Sequence, residues 1–139
     1  MSKSIEIVSE RNSIFRQRVQ IAGFDDLHVD VPMAFGGEES APDPHDYFDL
    51  SLGACKAITA QMYAQRKKWP LEGISVKVNR DDSEEQNGTY RLEVLMAFHG
   101  IEDEAQRRRL EEISHKCPIH RLMTSATVEV TTRSVAAKI

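Results

Sequence analysis

Residues 44–68, PHDYFDLSLGACKAITAQMYAQRKK, decide how the rest of the chain must be arranged. The segment opens on Pro44 and then contains only Gly53 as a helix-weakening residue, so it predicts one long helix. Tyr47, Phe48, Leu50, Leu52, Ile58, Met62 and Tyr63 cover much more than one side of it. A helix apolar over so wide an arc has to be enclosed on several faces, which one small sheet cannot do. Gly53, Ala57, Ala60 and Ala64 form a row of small residues, and such a row admits another helix at close range. With few helices elsewhere in the chain, a second subunit is the economical source of that neighbour.

The flanking segments alternate apolar and polar residues. Upstream, Ile5 and Ile7 repeat with period two, as do Phe15, Val19 and Ile21, and then Leu27, Val29 and Val31 before Pro32. These read as three strands of a meander, with Gly23 to Asp26 as a turn and Gly36 to Pro44 as a loop. Downstream, Ile74, Val76 and Val78 face Leu92, Val94 and Met96 across a hairpin at 81–88, where Asn87-Gly88 supplies a turn. Residues 102–116 predict a second helix, with Leu110, Ile113 and Cys117 on one face. Arg107, Arg108 and Arg109 lie three or four positions from glutamates and read as a solvated, ion-paired face. Pro118 ends this helix and starts a short one through Met123, which places Cys117 at its N-cap. Thr127 to Arg133 is β-branched and alternating, a final strand. The order predicts a single α+β domain over residues 1–139, built on a mainly antiparallel sheet.

Composition narrows the function classes. The chain is 40% apolar and 29% charged, with a net charge of −4. That balance fits a globular protein and does not offer a nucleic-acid surface. Met1 to Glu10 has neither the basic start nor the apolar core of a secretory signal, and the apolar stretches fall short of the about 20 residues that span a bilayer. A cytoplasmic protein, with no membrane partner, is expected. In a reducing compartment Cys55 and Cys117 are not a structural staple by default, and their wide separation means that only folding can pair them.

Thiolate is the reactive form of cysteine, and helix N-termini or nearby cations favour it. Cys117 has a helix start; Cys55 sits mid-helix, where a buried thiol is ordinarily inert packing, and its activation needs a cation from elsewhere. His115, Cys117 and His120 together hold three atoms that zinc sites use, but such sites normally bring four ligands and a paired Cys-x-x-Cys, so no metal is expected. No phosphate loop, dinucleotide fingerprint or serine-hydrolase elbow occurs.

The segment Pro42-Asp43-Pro44-His45-Asp46-Tyr47-Phe48-Asp49-Leu50-Ser51-Leu52-Gly53-Ala54-Cys55 resembles the start of the central helix of the OsmC/Ohr superfamily (osmotically inducible protein C and organic hydroperoxide resistance protein). Cys117-Pro118-Ile119-His120 resembles that family's second-cysteine motif, and Leu27 to Gly37 its strand and Pro-to-Gly-Gly loop. The resemblance implies a swapped homodimer, with two long central helices enclosed by sheets of both subunits. It implies a stress-related peroxidase for organic hydroperoxides, in which Cys55 becomes a sulfenic acid, Cys117 closes a disulfide onto it, and an external dithiol resets the pair without a cofactor. It also implies an arginine from the N-terminal strands, Arg18 or Arg16, oriented by an acid that maps to Asp46 beside His45, where Ohr-like members carry glutamate. Phe48, Tyr47 and Met62 are candidates to line the substrate pocket. The rival expectation is a non-catalytic binder of a small apolar or thiol-reactive ligand on the same fold.

Overall fold

The computed structural model describes residues 3–136. Strands β1 (Ile5–Ser9), β2 (Gln17–Ile21) and β3 (Leu27–Val29) form an antiparallel sheet in that order. Helix α1 follows at Pro44–Lys67, then β4 (Gly73–Asp81) and β5 (Arg91–His99), paired antiparallel along their full length, and finally α2 (Glu104–Ser114) and α3 (Pro118–Thr124). The α+β class and the order of these elements are those that the alternation predicts.

Each helix start has a local cause. Asp43 and Asp46 cap α1 reciprocally: Asp43 accepts the Asp46 N–H at 2.8 Å, and Asp46 accepts the Asp43 N–H at 2.9 Å. Two donors that a helix start leaves free are thereby satisfied, and Pro44 occupies the first turn, where it needs no partner. Asp103 caps α2 by accepting from the Gln106 N–H, and Cys117 caps α3 through its sulfur. The predicted ion pairing on α2 is present as Arg108–Glu104 and Arg109–Glu112.

The core lies between α1, α2 and the β4–β5 hairpin. Ala60 and Ala64 are fully buried against Ile101 and Leu110, with Trp69, Ile74 and Phe98 around them. Burying a leucine as completely as Leu110 contributes about 1.5–3 kcal/mol. A side chain at Gly53 would begin 2.8 Å from the Val78 Cγ2, so the hairpin's closeness to α1 depends on that glycine.

This packing corrects the reading of the small-residue row. Gly53, Ala60 and Ala64 face β4 and α2 of their own chain, so the close neighbour they admit is internal. The inner face of α1 is unexpectedly polar, carrying Asp49 and Lys56 beside Leu52, while Leu50, Ala54, Ile58 and Met62 form an outward stripe at four-residue spacing. Ile58 on that stripe is 51% exposed. The edge strand β1 is also uncovered, every one of its residues exposed, although Val19 of the adjacent β2 is buried. The outward stripe of α1 and the exposed β1 are two apolar surfaces that the described residues do not cover.

The expected final strand is a second correction. Residues 127–133 form no ladder among the described residues, and Val130 is 81% exposed. Alternation makes a segment ready to be a strand, but the ladder also requires a free edge held beside it. The chain end beyond residue 136 lies outside the described residues.

Candidate active site

The fold brings the two cysteines together from α1 and the α2–α3 junction. Both are free thiols, Cys55 half-buried and Cys117 fully buried. Each lies within reach of the other's charge. Burial pushes the Cys117 thiol up, hydrogen bonding and charge repulsion from Cys55 push in the same direction, and the His120 N–H on its sulfur at 3.3 Å opposes them. Pro118 in the first turn of α3 is what turns the chain so that Cys117 caps the helix and points back toward α1.

Lys56 stands beside the sulfurs, 5% exposed. Its Nζ donates to the Ser114 carbonyl at 3.0 Å and lies 3.0 Å from the His120 Nδ1. Burial lowers its pKa, while thiolate at Cys117 or Cys55 raises it, so ammonium and thiolate support one another. Burial and the Lys56 charge push the His120 pKa down, which favours the neutral imidazole, whose Nδ1 can accept from the ammonium. A cavity of about 510 Å³ opens beside Lys56 and His120, with Leu92, Val94, Met96 and Phe98 of β5 as its apolar wall.

A second polar cluster lies about two turns nearer the start of α1. Asp49 is buried and accepts from Arg80 Nε at 2.6 Å and from the Tyr90 hydroxyl at 2.7 Å, while Arg80 also reaches Asp46 at 2.9 Å. The two carboxylates hold the guanidinium firmly charged, and burial together with the Asp49 bond pushes the Tyr90 hydroxyl up to about 12. Leu52, Arg80, Tyr90, Leu92, His120 and Met123 join Phe48 around a cavity of about 890 Å³.

The sequence-predicted residues fall in several places. Cys55 and Cys117 meet. Phe48 lines the cavity beside Arg80, whereas Met62 lines a separate groove with Ile58 and Trp69, and the Tyr47 hydroxyl donates to the His28 carbonyl, tying α1 to β3. Asp46 is a capping residue paired with Arg80 rather than with an arginine of the N-terminal strands. Arg16 is held by Glu10 and Ser40. Arg18, paired across β1 and β3 with Val8 and His28, has only a long contact to Asp26 at 3.9 Å and keeps its guanidinium half exposed.

The sequence reading assigns no site role to Lys56, Arg80 or Asp49, and weighs His120 only as a zinc donor beside Cys117. For two of them the sequence carries a signal: Asp49 and Lys56 share the face of α1 that carries Leu52, Gly53, Ala60 and Ala64, and charge on a core face demands a buried partner. Their partners Arg80 and His120 lie too far along the chain for spacing to reveal.

The family model described as OsmC-like protein matches residues 36–133. No curated protein matches the chain. Among solved structures, an OsmC like protein from Mycoplasma pneumoniae is similar with a TM-score of 0.71 at 17% identity, covering 90% of this chain and 89% of that one. An organic hydroperoxide resistance protein OsmC from Legionella pneumophila gives 0.64 at 21%, covering 90% of each chain. The organic hydroperoxide resistance protein OhrB of Bacillus subtilis gives 0.62 at 15%, covering 90% of this chain and 92% of that one. At these identities the likeness establishes the fold.

Proposed function

Since the chain belongs to the OsmC-like protein family, we propose that it is a thiol-dependent hydroperoxide reductase working as a homodimer. The observation that carries this reading is the meeting of two free thiols from distant segments, one of them fully buried. The Cys55 thiolate attacks the outer oxygen of an organic hydroperoxide; the sulfur–oxygen bond forms, the oxygen–oxygen bond breaks, and the alkoxide takes a proton to leave as alcohol. Sulfur is oxidised by two electrons and the peroxide is reduced by two. Cys117 then displaces the sulfenic oxygen as water and forms the disulfide, which an external dithiol reduces.

Cumene hydroperoxide supplied in excess with a dithiol is expected to be consumed over many turnovers. Consumption that stops at one equivalent, or binding without consumption, would instead identify a small-molecule binder on this fold.

Two subunits account for the surfaces that one leaves bare. The outward stripe of α1 packs on its copy, and the N-terminal sheet covers the partner's hairpin, where residues 127–133 also find an edge. In this assembly Arg18 reaches the Cys55 of the partner subunit, and its loose contact to Asp26 leaves it free to do so. Arg18→Ala is then expected to slow single-turnover oxidation of Cys55 by at least about tenfold, and Arg18→Lys to recover only part, because a point charge does not reproduce the planar fork. An unchanged rate in Arg18→Ala together with a slowed one in Arg16→Ala would transfer the role to Arg16.

A further inference from the structure

We propose that Lys56 is a positioning residue for the sulfur pair, clamping the Cys117 segment against α1 on both sides of the cysteine and holding a positive charge beside Cys117. The assignment rests on the two-cysteine cycle proposed above. The clamp is visible in its contacts. Before Cys117, the Ser114 carbonyl accepts from both Lys56 Nζ at 3.0 Å and the Cys117 N–H at 3.3 Å. After Cys117, the His120 ring meets Lys56 at 3.0 Å, while the His120 N–H holds the Cys117 sulfur. One ammonium thus connects the helix that carries Cys55 to both ends of the turn that carries Cys117.

Its burial makes a bland surface role untenable. A lysine on the core face of a helix loses hydration and rotamer freedom, and among the described residues its hydrogen-bond partners are a carbonyl and an imidazole, with no carboxylate to offset that loss. The anionic groups it faces are the sulfurs themselves, when deprotonated. The other charged groups around it are His115 at the end of α2 and, across the cavity, Glu104, Arg107, Arg108 and Glu111 of α2; β5 contributes only apolar side chains to that cavity.

The consequence falls on resolution. When Cys55 is a sulfenic acid, Cys117 loses its thiol proton and attacks; the sulfur–sulfur bond forms, the sulfur–oxygen bond breaks, and the departing hydroxide leaves with that proton as water. The Lys56 ammonium keeps its protons and stabilises the attacking thiolate. Without it, a thiol already pushed up by burial has one favourable interaction fewer.

The test has a readout independent of peroxide chemistry. In a Cys55→Ser background the ultraviolet thiolate absorbance of Cys117 is followed against pH, and Lys56→Met is expected to move the midpoint up by about one unit, a tenfold loss of thiolate below it. Lys56→Arg keeps the charge and recovers most of the midpoint. With both cysteines present, Lys56→Met lowers the ratio of disulfide closure to first oxidation by about tenfold in rapid-quench mass spectrometry. His120→Leu acts in the same direction and serves if Lys56→Met fails to fold. Unmoved absorbance curves in the folded variants, His120→Leu included, would overturn the assignment. A wild-type protein that consumes no hydroperoxide would refute the peroxidase reading, while the absorbance curves still decide the place of Lys56.

Discussion

Cys55→Ser is expected to lose hydroperoxide consumption entirely, whereas Cys117→Ser reacts once and stops at a sulfenic acid that a dione reagent traps. The asymmetry follows from burial and reach. Cys117 is sealed from solvent and caps α3, so a peroxide molecule has no direct path to it, while Cys55 is half-buried on the long helix. Removing the attacking sulfur leaves no nucleophile. Removing the second leaves the first oxidation intact but replaces an oriented neighbour with a thiol from solution, and steady-state turnover falls by at least about 100-fold. Intact-mass spectrometry after one equivalent of peroxide separates the two variants. Equal loss of the first oxidation in both would show that the cysteine roles are wrongly divided.

Ile58→Glu is expected to abolish the dimer. On an isolated chain this residue is solvent-facing, and a surface substitution of that kind changes stability by no more than about 0.5 kcal/mol. If α1 packs on its copy, the same change buries two unpaired carboxylates near the symmetry axis, at a cost of several kcal/mol. The predictions of a free and a paired surface therefore differ by more than experimental error. Light scattering should find a dimer for the wild type at micromolar concentration and, for Ile58→Glu, a monomer with reduced secondary structure or no soluble product. A folded, monodisperse wild-type monomer would refute the assembly, and with it the delivery of Arg18 from a partner.

The charge distribution on α1 explains why these experiments are informative. Its inner face carries Asp49 and Lys56, each buried and bonded by groups from other elements, while its outer face carries leucine, isoleucine and methionine. Such a helix does not look amphipathic in the ordinary sense. It is built to be surrounded, with polar contacts on the side of its own hairpin and apolar contacts left for another molecule.

Local chemistry made much of this protein legible before folding. Period-two alternation marked β1 to β5 and proline marked the starts of α1 and α3, because each depends on residues a few positions apart, whereas the pairing of the two cysteines came from the family resemblance. Partner choice at long range belonged to the tertiary structure alone. Asp46 appeared ready for an N-terminal arginine, but the hairpin delivers Arg80 to it; the glycine–alanine row appeared to await another subunit, but β4 and α2 of the same chain fill it; and 127–133 has the alternation of a strand but forms no ladder among the described residues. The physical reason is common to all three. Alternation, caps and turns are energies of neighbouring residues, whereas an ion pair, a helix contact or a ladder hydrogen bond requires a second surface whose position is set only when the whole chain, or two chains, have packed.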